Sequence, residues 1–412
     1  MLEITPASTS DAIRKTWTFS VWFKIGNLGA EAGRRRILFP RTDGSNYADM
    51  WLETDDTFSF NDYQSGTQFN FVTTQVFRDT GAWYHLVIAM DTTQAVEANR
   101  TKIYLNGTQI TDFGTETYPA QDTVTMYNSD SLTRIGNNDG STYFDGYFAQ
   151  IAMVTASQLA PTSFGEFNSD SPTIWQPIDI SGLTFGTNGY FLDFADSAAL
   201  GDDVSGNGND WTPSGLAAVD QCLDSPTNNF ATLNLAQNYY DPGVFTQGNC
   251  TLTTAGGVGM YSFRTTTLGM SKSKWYMEFR KTTGDTNAQW GYASEYPTAN
   301  NNYCGEVAGN YGLYGANGFL YTNASAVSSG WGTMSTGYVM LAIDLDNNFI
   351  YFGTNGTWLK SGDPTSGPTG TGGESITAAS ASTIGHYFFA MGDFSNTSGY
   401  VYECNFGNGS FG

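Results

Sequence analysis

The sequence predicts an all-β protein built as two antiparallel β-sandwiches in tandem, joined by a segment rich in Gly, Asn and Asp. Three observations predict it. Apolar residues recur with period two in short runs, the pattern of strands that bury one face. Phe, Tyr and Trp make up 15% of the chain and Gly reaches 48 residues, a balance of ringed side chains and turn formers that favours sheets over helices. The strand-like runs fall into two blocks, 1–170 and 237–412, separated at 171–236 by a polar stretch with room for one strand.

In the first block, Trp17, Phe19, Val21 and Phe23 alternate with Thr18, Ser20, Trp22 and Lys24. Short runs at 37–39, 49–54, 57–63 and 68–72 follow, each ended by Gly, Asp or Ser, as in a meander. WYHLVIAMD (83–91) and KIYLNGTQI (102–110) come next. Asn106-Gly107 between alternating apolar residues predicts a tight hairpin, because a type I′ turn needs positive φ at both central positions. FDGYFAQIAMV (144–154) reads as a long buried strand. In the joint, Tyr190, Leu192 and Phe194 share one face of GYFLDF, and Gly201, Gly206 and Gly208 among acids and amides then rule out a helix. The second block opens with KWYMEFR (274–280) and carries Asn317-Gly318 and Asn355-Gly356 as further hairpin turns. Residues 361–383, rich in Gly, Pro, Ser and Thr, predict an exposed loop.

The series W-Y-H-L, K-I-Y-L-N-G, R-I-G and F-D-G-Y-F-A-Q-I-A resembles the concanavalin A-like, laminin-G-type jelly roll over about residues 1 to 170. That family includes sugar-binding lectins, calcium-dependent adhesion modules and glucanases. W-Y-x-E-F, W-G-Y, D-L-D-N, Y-F-G-T-N-G-T-W and C-N-F-G, in that order over 270–407, resemble the SPRY sandwich. SPRY domains bind ligands through loops, which implies recognition without catalysis. The tandem, with S-G-N-G-N-D-W and D-S-P-T-N-N-F in the joint, is similar to virion proteins of tailed phages from marine and other aquatic bacteria.

Charge narrows the partners. A formal charge of −22 argues against a duplex nucleic acid, whose phosphates need a basic footprint. Arg34-Arg35-Arg36, the one basic run, reads as a solvated strand edge. The amino terminus has neither the basic start nor the apolar core of a secretion signal, and no run approaches ~18 apolar residues, so membrane insertion is not expected. Cys222, Cys250, Cys304 and Cys404 form no C-x-x-C pair; free thiols are expected, with disulfide pairing as the alternative.

Catalytic motifs are missing. A retaining glucanase of the jelly-roll type needs E-x-D-x-x-E on one strand face; Glu53-Thr54-Asp55 begins it, but Phe58 stands at the last position. No G-x-S-x-G elbow exists, and His85 and His386 both lie in strand-like runs, where packing is the expected role. Hard-cation chemistry is better represented: Asp202, Asp203, Ser205, Asn207, Asn209 and Asp210 offer oxygens at short spacing, which suits either calcium or a loop that satisfies its own backbone. For sugars the candidates are amphipathic rings beside amides: Tyr143 near Asn137, Asn138 and Asp139, and Tyr296, Tyr303, Tyr311, Tyr314 and Trp331. Core packing is the alternative for each.

The expectation is therefore a non-enzymatic virion surface protein, a fibre, spike or decoration. It would be assembled in the host cytoplasm, contact host-surface polysaccharide or neighbouring capsid or tail proteins, and form a homotrimer if it is a fibre or spike. A ligand-free cement protein and a secreted adhesin or glycan-degrading enzyme are the alternatives.

Overall fold

The structure is a computed structural model that describes residues 1–412 except 8, 30–32, 139, 141, 238–242, 255–260, 285, 296–301, 335–336, 394–398, 409–412 and the side chain of Ser262. The chain divides into two compact units, Met1–Asn229 and Phe230–Gly412. The joint is thus no separate linker: most of it belongs to the first unit.

The first unit runs β1 (Leu2–Ile4), β2 (Thr16–Ile25), β3 (Arg35–Asp43), β4 (Asn46–Leu52), β5 (Thr57–Gln64), β6 (Thr67–Val76), β7 (Trp83–Asp91) and β8 (Thr101–Leu105). It continues with β9 (Thr108–Gln109), β10 (Phe113–Thr117), β11 (Leu132–Ile135), β12 (Gly146–Thr155), β13 (Gly165–Phe167), β14 (Trp175–Pro177), β15 (Tyr190–Leu192) and β16 (Thr212–Pro213). An eight-stranded sheet has the order β10-β6-β5-β4-β3-β11-β1-β16, and a six-stranded sheet the order β15-β12-β2-β7-β8-β9. The strand pairs of these sheets among the described residues are antiparallel, as in β2 with β7, where Trp22 faces His85. Trp17, Phe19, Val21 and Phe23 of β2 pack in one core with Ala48, Met50 and Leu52 of β4 and Phe58 and Phe60 of β5. Period-two alternation puts these side chains on inner faces, so the two sheets share a single apolar interior.

Two joint residues confirm its allegiance. Leu192 of β15 pairs with Ile151 and is fully buried, and Trp211 lies in the same core beside Tyr190, ring centroids 5.0 Å apart. Phe194 leaves the expected alternation, with φ at 58°.

The other face of β2 was expected to meet solvent but is covered. Val87, Ala152, Val154, Phe164, Ile180, Phe185 and Phe191 form a second cluster there. Beside it Trp22, Trp83 and Trp175 form a third. Segment 156–185 lies over the six-stranded sheet and helps bury Thr18 and Ser20, while Lys24 is buried against Asp224 and Asn229. The Asn106-Gly107 hairpin forms as predicted, with φ of 47° and 78° and Leu105 paired to Thr108.

The second unit contains β17 (Gly243–Thr246), β18 (Thr251–Thr254), β19 (Ser262–Thr265), β20 (Lys274–Thr283), β21 (Ala288–Ala293), β22 (Tyr311–Tyr314) and β23 (Phe319–Thr322). After these come β24 (Ser325–Ser328), β25 (Gly337–Asp344), β26 (Phe349–Thr354), β27 (Thr357–Trp358), β28 (Glu374–Ser375), β29 (Phe388–Asp393) and β30 (Val401–Asn405). Its sheets have the orders β17-β18-β30-β20-β25-β26-β27, with β28 on β26, and β19-β29-β21-β22-β23-β24. Met277, Phe279, Trp290, Tyr292, Leu341 and Phe352 centre its own core. Asn355-Gly356 makes a two-residue turn with φ of 48° and 80°. At Asn317-Gly318 the hairpin has a longer loop, since Tyr314 pairs with Phe319.

Residues 361–383 differ from the exposed loop expected. Ile376 and Ala379 pack into the core and β28 extends a sheet, because a few apolar side chains suffice to dock an otherwise polar segment. The four cysteines are free, with Cys304 and Cys404 buried. No helix among the described residues is long and apolar enough to cross a membrane.

Candidate functional site

The aromatic candidates separate by burial. Trp331 is 0% exposed: its ring packs on Phe352 at 5.2 Å, Lys360 Nζ lies 4.0 Å over it, and its Nε1 donates to Ser328 Oγ. Tyr311 is buried with its hydroxyl accepting from Thr377 N, and Tyr303 is buried against Tyr261. These three present no ring face to a sugar; packing claimed them because they lie on strands or against core rings. Tyr314 is half-buried and donates to Asn287 Oδ1 at 2.6 Å, while its ring meets Tyr321. Tyr296 and Asp139 fall outside the described residues. Only Tyr143 is well exposed, at 56%. It bridges Asn137, whose buried Oδ1 accepts from Gly140 N, and Asn138 Oδ1 accepts from Thr142 N, so these amides shape the loop.

The acidic joint loop is held by its own hydrogen bonds. Asp203 Oδ1 accepts from Phe191 N and Ser205 N, and its Oδ2 from Ser205 Oγ and Asn209 N. Asp210 Oδ1 accepts from Asp203 N. Asn207 and Asn209 each donate Nδ2 to Gly189 O, clamping the loop to the turn before β15. Both Asp203 oxygens are thus taken up by the loop's own donors, which satisfies its backbone without an ion. Of the two sequence readings, the self-satisfied loop accounts for the geometry. Among the described residues no group of His, Cys, Asp and Glu could hold a metal ion.

His85 is a packed residue with a set tautomer. Trp175 Nε1 donates to its Nδ1 at 2.8 Å, which leaves Nε2 as the donor to Ser20 Oγ, also at 2.8 Å. Trp22 stacks on the ring at 4.4 Å. Burial pushes its pKa down to about 3, and no carboxylate orients it, so Ser20 has no base.

A different site emerges on the outer face of the eight-stranded sheet. A groove of about 460 Å³ is lined by Arg34 just before β3, Arg36 and Arg41 on β3, Tyr47, Asp49 and Trp51 on β4, Glu53 just after it, and Ser59, Asn61 and Asn70 on β5 and β6. Alternation produces it: Ala48, Met50 and Leu52 point into the core, so Tyr47, Asp49 and Trp51 point out. Antiparallel register then lines up Tyr47 with Tyr63, Asp49 with Asn61 and Trp51 with Ser59, and sets Asn70 opposite Asn61. The arginine run is no solvated edge, because β3 is an inner strand between β4 and β11. Arg35 is fully buried against Asp56 at 2.8 Å. Arg36 Nε meets Asp49 Oδ2 at 2.8 Å, Arg36 Nη1 donates to Thr142 Oγ1, and the guanidinium lies 5.4 Å over Phe39. Arg34 Nε meets Glu53 Oε2 at 3.0 Å and covers Trp51 at 5.3 Å.

Burial pushes the Asp49 carboxyl up to about 7 even though Arg36 pulls it down. Its Oδ1 has no hydrogen-bond partner within the protein, nor do Asn61 Oδ1 and Trp51 Nε1, all of them buried. Buried polar atoms are normally paired, so these three are exceptions among the side chains that line the groove. The nearest carboxyls along β4, Asp49 and Glu53, are four residues apart on a strand, about 13 Å at Cα. Glycosidases set theirs roughly 5–5.5 Å or 6.5–9.5 Å apart, so this pair suits binding better than glycosidic bond cleavage. In the sequence this strand face is legible only as the period-two row Tyr47, Asp49, Trp51 and Glu53, outside the loops where ring-bearing sugar sites are expected.

The fold defines two antiparallel β-sandwiches in tandem, the first carrying this groove. Residues 3–158 match the family model described as the concanavalin A-like lectin/glucanases superfamily, Laminin_G_3. A search of curated proteins finds no match. Among solved structures, the SPRY domain of human HERC1 is similar at 13% identity and TM-score 0.30, covering 42% of this chain and 96% of its own. Domains LG4-5 of the mouse laminin alpha1 chain are similar at 10% identity and TM-score 0.32, covering 97% and 84%. Domain 4 of an extracellular arabinanase from Geobacillus stearothermophilus, solved with arabinotriose, has 17% identity and TM-score 0.27, covering 36% and 64%. The match to the concanavalin A-like family model thus falls within the first unit.

Proposed function

We propose that this chain is a non-enzymatic glycan-binding protein that holds a short stretch of polysaccharide in the groove along β3 to β6. The single observation that carries the reading is the groove itself, where the rings of Tyr47 and Trp51 stand on one sheet face beside the amides of Asn61 and Asn70 and the carboxyls and guanidinium groups of their neighbours. Hydroxyl groups both donate and accept, so a sugar meets such a mixed set where an apolar ligand does not. The groove's volume of about 460 Å³ lies in the ~300–1,000 Å³ range of sites that enclose small ligands. The match of residues 3–158 to a superfamily of lectins and glucanases supports the same ligand class.

The wider role proposed is attachment: a surface protein of a tailed phage that meets host polysaccharide through the first unit and neighbouring virion subunits through the second. Exposed rings in the second unit favour the second contact, since Trp275, Tyr276 and Tyr338 are 42%, 47% and 40% exposed on the paired strands β20 and β25. Binding is tested by affinity electrophoresis of the whole chain through gels cast with host polysaccharide. Retardation by at least one glycan is expected, with no reducing ends released over a day; steady release would establish a hydrolase instead.

A further inference from the structure

Two arginines of the groove are anchored to the protein by one edge and keep donors on the other. Arg34 Nε meets Glu53 Oε2 at 3.0 Å, and its guanidinium covers the Trp51 ring at 5.3 Å. Arg36 repeats the arrangement, with Nε on Asp49 Oδ2 at 2.8 Å and the guanidinium 5.4 Å over Phe39. A guanidinium carries its five N–H donors in one plane, so a ring beneath it and an acid on Nε hold it in place without using all of its Nη donors. Among the described residues neither Nη group of Arg34 has a hydrogen-bond partner, and Arg36 engages only Nη1, on Thr142 Oγ1. The Arg34 side chain is 50% exposed, so its Nη donors stand within reach of a ligand.

Arg41 extends the row. The register of β3 on β4 shifts between Arg36 and Leu38, which turns Ile37 and Leu38 both into the core and keeps Arg36, Phe39 and Arg41 on the groove face. From Arg34 to Arg41 the chain covers roughly 20 Å, a length suited to several sugar rings. Charge points the same way. Three arginines line the groove against two carboxyls, Asp49 and Glu53, a formal +1 on a chain whose net charge is −22. Anions are repelled by such a molecule at large and are held only where guanidinium groups gather.

We infer that the groove takes an acidic glycan, the Nη groups of Arg34 and Arg36 donating to a carboxylate or sulfate ester carried on a sugar ring. The inference rests on the glycan reading of the groove given above and names the class within it.

The test titrates the full chain by isothermal calorimetry, in about 50 mM salt so that screening stays modest. The ligands are uronates (alginate, polygalacturonate), a sulfate ester (dextran sulfate) and neutral dextran, laminarin and xylan. Binding of at least one acidic glycan, at least tenfold tighter than any neutral one, is expected; a uronate alone or the sulfate alone supports the inference equally and tells which anion the arginines hold. Arg34→Gln removes the open fork from a half-exposed side chain and should weaken acidic binding about tenfold, the worth of one charge-assisted hydrogen bond, with an unchanged circular dichroism spectrum. Glu53→Gln removes a like charge beside the ligand and should tighten the same binding, a gain that a merely structural role does not produce. Neutral glycans bound as tightly as acidic ones would overturn the anion preference and leave the glycan reading standing. Acidic binding indifferent to both substitutions would overturn the inference by moving the ligand off this groove. Binding of no glycan of either kind would overturn the glycan reading itself.

Discussion

Replacing Asp224 by Ala should unlatch the end of the first unit. The Asp224 carboxylate accepts from Lys24 Nζ through Oδ2 and from Trp83 Nε1 through Oδ1, both at 2.8 Å, and the side chains of Lys24 and Asp224 are 0% exposed. Asn229 Oδ1 accepts from the same ammonium at 2.9 Å, and its Nδ2 donates to Gly81 O. The D-S-P-T-N-N-F stretch of the joint is therefore pinned to β2 and to the start of β7. Removing the acid leaves an ammonium buried without its counter-charge, which costs about 3–5 kcal/mol. The Trp83 N–H also loses its acceptor, about 1–3 kcal/mol more. A total of roughly 4–8 kcal/mol is a large share of the ~5–15 kcal/mol that holds a typical domain together. Urea unfolding followed by tryptophan fluorescence should show an early transition for this unit, with the second unit's transition as internal reference. The double variant Lys24→Met with Asp224→Leu removes both charges and should recover most of the loss, since apolar pairs replace buried ion pairs at little cost. A single variant that loses less than about 1 kcal/mol, within the range of an ordinary surface change, would refute the buried latch.

Two further outcomes are expected. His85 is held neutral, its pKa lowered to about 3 by burial, so the unfolded chain takes up its proton first, near the ordinary value of 6.5. That contribution to stability is complete above pH 6.5 and is lost as pH falls toward 3, about 2 kcal/mol by pH 5. Asp49, raised to about 7 by burial, works in the opposite sense over the same window, so the comparison must be made between slopes. His85→Gln should lose less stability than the parent between pH 7 and 5 in denaturant melts, and equal slopes would show that His85 is not held neutral by burial. For the joint loop, a chelator should leave the thermal transition in place, whereas Asp203→Ala, which strands the N–H groups of Phe191, Ser205 and Asn209, should cost about 3 kcal/mol. A melting temperature that drops with chelator would show that a cation shares the Asp203 oxygens.

Local chemistry was legible wherever one residue or one alternation sufficed. Trp17 to Phe23 announced an inner strand face, Asn106-Gly107 and Asn355-Gly356 announced two-residue turns, and the absence of E-x-D-x-x-E was readable by inspection. The polar loop could be read only as far as its oxygens, since Asp203 serves a cation or its own backbone according to which N–H groups come within reach. The groove escaped because nothing in DMWLET says what lies on the next strand. Its pairs, Asp49 with Asn61 and Tyr47 with Tyr63, exist only through register.

By itself, then, the order of residues determined the class of fold, the two interiors and most of the turns, because these depend on period and on backbone freedom within a few positions. Tertiary structure decided where the first unit ends, since Asp224 reaches back to Lys24 across the chain, and why Arg35 and Arg36 are buried rather than solvated. It also decided which rings face a ligand: a Trp looks the same in sequence whether it packs like Trp331 or borders a groove like Trp51, and only the neighbours brought in by sheet pairing tell the two apart.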